Sequence, residues 1–125
     1  MNRIALGAAI LAVSATAAFA QTDPFAVAYG NTVTQTRPDG TKVVIYVNAD
    51  KTWEQHMSGG AVVKGTYAWQ DASHVCFTVV DPAPKDAAHA TDCNEIKGDH
   101  KVGDTWTETM EDGKTQITMS ITAGR

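Results

Sequence analysis

Four histidines and two cysteines are the side chains best able to do chemistry in this sequence of 125 residues. His74 and Cys76 form "HVC", and His89 and Cys93 lie four apart in "HATDC". Two His and two Cys are the ligand set of a structural zinc site. The spacing matches no recognised finger, and strand alternation would put His74 and Cys76 on one face. If the chain is exported, a disulfide between Cys76 and Cys93 is the simpler account of both thiols. A metal would then fall to His74, His89 and His100 on strand ends and loops, with Asp92 and Asp99 nearby. Clusters of that kind are ordinarily solvated surface.

Other chemistry has weaker support. After position 20 the serines are Ser58, Ser73 and Ser120, and none sits in a Gly-x-Ser-x-Gly elbow. A cysteine held in a disulfide is no nucleophile. Glu54 and Glu108 stand beside tryptophans in "TWEQ" and "TWTE". Two acids in a Trp-lined groove would suit glycoside hydrolysis. Glu54, however, alternates to the face opposite Trp53, and acidic side chains on strands ordinarily face water. There is no phosphate-binding loop or dinucleotide fingerprint. We therefore expect no enzymatic activity and no cofactor.

The elements that would position these residues begin with the opening "MNRIALGAAILAVSATAAFA". One cation, an apolar middle and an A-x-A end read as a secretory signal peptide over residues 1–20. The run is too short and too Ala-rich for a membrane anchor. The mature chain then carries no membrane span, and its expected location is the periplasm, or beyond it, of a bacterium. The formal net charge of the whole chain is −4, and losing Arg3 makes the remainder more acidic. No basic stripe is available for nucleic acid or anionic lipid.

Residues 21–30, "QTDPFAVAYG", have no sustained period and read as an N-terminal arm. The rest, 31–125, reads as one all-β domain. Thr, Val, Ile, Tyr and Trp dominate it, and turn signals recur at short intervals. Strands are predicted at 31–37, 41–48, 52–58, 61–69, 74–80, 91–97, 104–111 and 114–122. "PDG", "NADK", "GG" and "EDGK" supply hairpin turns. All but one of the connections are short, so consecutive strands should pair antiparallel. The exception is 81–90, where Pro82 and Pro84 forbid a central strand. A Cys76–Cys93 disulfide would staple its base.

Alternation assigns a buried face to Val43, Ile45 and Val47, to Trp53 and Met57, and to Val63, Tyr67 and Trp69. The same face carries Val75, Phe77 and Val79, then Trp106 and Met110, then Ile117, Met119 and Ile121. Amphipathic strands with short turns must close on themselves or stack. The expected fold is a small eight-stranded antiparallel up-and-down barrel with one disulfide, the alternative being a β-sandwich. So much aromatic bulk in so short a barrel should fill it, which moves function to the arm, the loops or the outer face.

The segment "GTYAWQDASHVCFTVV…TDC" resembles small secreted proteobacterial β-proteins, in which a Gly-x-Trp or Gly-x-Tyr strand precedes a Cys strand and then a second Cys. In size and architecture the chain is also similar to the periplasmic inhibitors of secreted metalloproteases. Here Tyr67 stands where Trp is typical, and both cysteines fall late in the chain. The resemblance implies an eight-stranded barrel that binds a periplasmic or secreted protein through its N-terminal arm, with Asp23, Pro24 and Phe25 as the contacts. A partner protein or envelope component held by that arm or by the 81–104 loop region is the first expectation for function. A carrier of a small ligand or metal is the second.

Overall fold

The computed structural model describes residues 23–110 and 112–125. The expected signal peptide and the first two residues of the arm lie outside the described residues. Eight strands form: β1 (Thr32–Thr36), β2 (Lys42–Val47), β3 (Thr52–His56), β4 (Val62–Trp69), β5 (His74–Asp81), β6 (Thr91–Glu95), β7 (Thr105–Thr109) and β8 (Gln116–Thr122). They make one antiparallel sheet, ordered β6-β5-β4-β3-β2-β1-β8-β7, which curls into a half-barrel.

Turn chemistry sets the hairpins. Arg37 N–H donates to Thr41 O, and Gly40 N–H to Arg37 O. The same pair of bonds recurs from Asn48 to Thr52 and from Met57 to Ala61. Each loop needs left-handed backbone at its fourth residue. Glycine meets that need at Gly40 and Gly60, whereas Lys51 adopts φ of 70° without being glycine. Asp39 and Asp50 accept from the backbone two residues on, at Thr41 and Thr52, which fixes two of the loops.

β1 pairs with β8, from Thr32↔Thr122 to Thr36↔Thr118. Arg125 strengthens this join. Its guanidinium donates to Val47 O at 2.7 Å and Asn48 Oδ1 at 2.7 Å, and it lies 4.9 Å from the centre of the Tyr46 ring. Once β1 is flanked by β2 and β8, the sheet ends at β6 and β7. The short connection predicted to make β6 and β7 neighbours does not do so. The long 81–90 connection instead joins the paired strands β5 and β6. Sulfur is the reason: Cys76 and Cys93 sit opposite each other in the ladder, Cα atoms 4.0 Å apart, and are bonded. The bonds Val79 N–H to Ala90 O and Ile96 N–H to Ser73 O place the pair at a non-hydrogen-bonded rung, where strands approach most closely.

The concave face is the core. Val33, Val47, Trp53, Tyr67, Val75 and Ile121 are buried together, with Ile45, Val63, Trp69, Phe77, Val79, Trp106 and Met119 packed against them. Val43 and Val75 have no exposure at all. Predicted alternation holds for these residues. Met110 departs from it at 43% exposure, because it follows the last strand of the sheet and no neighbouring strand covers it. A bulge places Val80 between the rungs Gly65↔Val79 and Lys64↔Asp81, and Val80 is 56% exposed.

Gly65 lies beneath the Trp53 ring. A Cβ there would come within 2.0 Å of Thr78 O and 2.6 Å of Trp53 Cε2. The adjacent indole N–H of Trp53 donates to Thr66 O at 2.9 Å and holds the ring in place. Thr78 O is backbone of β5, the strand paired with β4, so neither neighbour yields cheaply. Gly65→Ala is therefore expected to destabilise the fold by about 2–3 kcal/mol, read as a lower urea midpoint with an unchanged m-value.

Candidate functional site

The N-terminal segment is folded onto the domain. Asp23 Oδ1 accepts from Phe25 N–H at 3.0 Å, and a 3-10 turn at Ala26–Ala28 follows. The turn buries Ala28 in the core. It also swings the Phe25 ring into an aromatic cluster, 4.8 Å from Trp69, 5.2 Å from Tyr67 and 5.9 Å from Phe77. Asn31 Nδ2 donates to Val27 O at 2.8 Å and secures the return into β1.

Two hydrogen-bonded phenols lie near the phenylalanine. Tyr29 Oη donates to the Asp23 carboxylate and lies 3.1 Å from Tyr67 Oη, which donates to Asn48 O at 2.6 Å. Burial, then the bond to Asp23, raises the Tyr29 hydroxyl far above the ordinary tyrosine range. Burial likewise raises Tyr67. Both phenols stay protonated and act as fixed donors. Asp23, Pro24 and Phe25, expected as contacts on a free arm, are half-buried here, and two of them hold the segment down. A free arm would be dispensable for stability. This segment contributes to the core.

His74 is part of a turn. His74 Nδ1 meets Asp71 Oδ1 and Oδ2 at 2.9 Å, and Ser73 Oγ at 3.2 Å. Ser, His and Asp are thus adjacent, but both partners address the same ring nitrogen. A catalytic relay needs the acid on one nitrogen and the nucleophile on the other. The group is a turn: Asp71 Oδ1 accepts from Ser73 N–H and His74 N–H, each at 2.8 Å. The bond from Ser73 N–H, then that from His74, lowers the Asp71 carboxyl to about 2. His89 ends the 3-10 turn Ala87–His89, and His100 lies in the connection between β6 and β7. No group of three or more His, Cys, Asp or Glu positioned for a metal occurs among the described residues.

The two glutamates separate as well. Glu54 joins His56 at 3.1 Å and Lys64 at 3.8 Å on the convex face. Glu108, on the strand face shared with Trp106, accepts from the Trp106 indole N–H at 2.9 Å.

A different set of residues lies along the two edges of the sheet. The imidazole of His100 stacks on Trp106, ring centres 3.5 Å apart and planes 7° from parallel. Val102, 46% exposed, and Met110 flank β7 at its two ends, while Val80 projects from β5. Between Asp81 and Thr109 the sequence has seven carboxylates against three lysines. The His100–Trp106 stack carried no readable sequence signal, since a loop separates the two rings. The "DASH" turn did carry one, an aspartate two and three residues before the amides it holds.

No family model, curated protein or solved structure matches the chain. Its chemistry has to be read from its own side chains.

Two outcomes are expected. Phe25→Ala should lower stability by about 2 kcal/mol, because it empties part of an aromatic cluster; equilibrium unfolding in urea checks this. Asp71 has a carboxyl lowered below its ordinary 3.8 in the fold, as do Asp39 and Asp112, through bonds from Thr41 and Thr115 respectively. A lowered folded pKa gives stability that is present above the ordinary value and lost as pH falls through the folded one. Melting temperatures of wild type and Asp71→Asn should thus differ at pH 5 and converge between pH 4 and about 2.

Proposed function

We propose that this is an exported, non-enzymatic binding protein that recognises a protein or envelope partner through the 81–104 region, which runs between the two edges of its sheet. The observation that carries this reading is what lines the two edge strands and the connection between them. Exposed Val80 and Val102, the stacked His100–Trp106 pair and an excess of carboxylates lie around strands β6 and β7, which terminate the sheet. Exposed apolar groups rimmed by charge are what an interaction surface needs. Loops on a rigid scaffold are the usual place for it.

The N-terminal segment has a supporting role in this reading. With Phe25 packed among Trp69, Tyr67 and Phe77, it closes one end of the half-barrel. The aromatic cluster also fills the space that a small-ligand carrier would use, which favours the binding protein. Export is supported by the A-x-A pattern ending at Ala20 and by the Cys76–Cys93 bond, since disulfides persist in oxidising compartments.

Photo-crosslinking in the native cell tests the proposal. A photoreactive residue at Val80 or Val102 is expected to give a discrete adduct with one partner. The same residue at Lys42, in β2 near the middle of the sheet order, is expected to give none. Adducts at Lys42 alone, or at no position, would count against this surface.

A further inference from the structure

We infer that the free edge of β7 is a strand-addition site, which takes an extended, basic peptide segment of the partner as a ninth strand. This rests on the binding role just proposed and names the chemistry of what is bound.

The backbone supplies the first argument. Met110 N–H donates to Thr115 O at one end of the β7–β8 ladder, and Ile121 N–H to Asp104 O at the other. In an antiparallel pair, hydrogen-bonded rungs alternate. Trp106 and Glu108, opposite Met119 and Ile117, are therefore bonded to β8. The N–H and C=O groups of Thr105, Thr107 and Thr109 point the other way, and β7 ends the sheet order on that side. Three donors and three acceptors in line, at strand spacing, fit one kind of occupant: another extended chain.

Comparison of the two edges supplies the second. β6 offers the corresponding groups of Thr91, Cys93 and Glu95. At the same length as β7 it carries two acids, Asp92 and Glu95, and it is bound to β5 through sulfur. Charged side chains on a short strand are how natural sheets blunt an edge. β7 reads "TWTET". Its one acid, Glu108, accepts from Trp106. Three β-branched threonines present a surface that favours cross-strand pairing. Val102 and Met110, both exposed, extend the edge at either end.

Charge identifies the occupant. The span from Asp81 to Thr109 holds seven carboxylates and three lysines. Alternate side chains of an added strand would lie beside Glu108 and the Trp106–His100 stack, where lysine or arginine is favoured by both the carboxylate and the ring faces. A second copy of this chain would bring the same acidic surface and be repelled.

The test uses the protein from residue 21 onward and a labelled ten-residue peptide, Lys-Val-Lys-Thr-Lys-Val-Lys-Thr-Lys-Val, with blocked ends. Fluorescence anisotropy gives its affinity, and amide hydrogen exchange gives its position. Binding is expected to slow exchange at Thr105, Thr107 and Thr109 and to weaken as salt rises. N-methylating every residue of the peptide, which blocks both of its edges, should weaken it about tenfold or more, as should Thr107→Pro, which removes an outward N–H but no bond to β8. A glutamate version of the peptide should not bind. Equal binding by the N-methylated peptide, or unchanged exchange at the three threonines, would overturn the inference. So would a dimer of the chain alone that protects those amides, because the occupant would then be a second copy. Each of these results leaves the crosslinks at Val80 and Val102 to decide the broader reading separately.

Discussion

The pairing of β1 with β8 is the constraint from which the rest of the structure follows. Eight strands in an up-and-down meander have eight possible neighbour pairs if the sheet closes, and seven are made. Because the first and last strands join, the remaining gap falls inside the chain, between β6 and β7. The Arg125 guanidinium fixes the join by binding Val47 O and Asn48 Oδ1 of the strand end next to β1. Neither edge of the sheet therefore belongs to a terminal strand. Both edges flank the same internal connection, and the acidic, partly apolar surface is built on that connection.

The core is closed by two different means. Around Trp53 closure comes from within the sheet, with the indole lying over Gly65 and bonded to Thr66 O. Around Tyr67 it comes from outside the sheet: Phe25 and Ala28 are brought in by the turn that Asp23 nucleates. The bonds from Tyr29 to Asp23 and from Tyr67 to Asn48 O let polar atoms enter this apolar region without being left unsatisfied, and no buried side-chain polar atom among the described residues lacks a partner. A segment held by both packing and hydrogen bonds is poorly suited to act as a free inhibitory arm, which is why the proposed contact surface is the other one.

Much of the fold was legible in the sequence because period-two alternation and turn chemistry are local signals. Val43, Ile45 and Val47 face inward as alternation requires, and "PDG" turns where Pro38 and Gly40 direct it. The disulfide could be argued from two cysteines and a signal-like N-terminus. Strand neighbours across the gap could not be read. Loop length pointed to β6 and β7 as a pair, and nothing in the structure explains why that pair alone is left unmade. The Phe25 cluster was equally hidden, since "DPFAVAYG" has no period and its burial depends on Trp69 and Phe77, more than forty positions away. Of the candidate site, the charge of residues 81–109 was visible and the stack of His100 on Trp106 was not.

β7 is paired on one side only among the described residues. Residue-resolved amide exchange of the free protein measures this directly. The account predicts alternation along the strand: slow exchange at Trp106 and Glu108, whose amides face β8, and fast exchange at Thr105, Thr107 and Thr109. Uniform protection of all five amides in a monomer would mean that β7 is bonded on both sides and would contradict it.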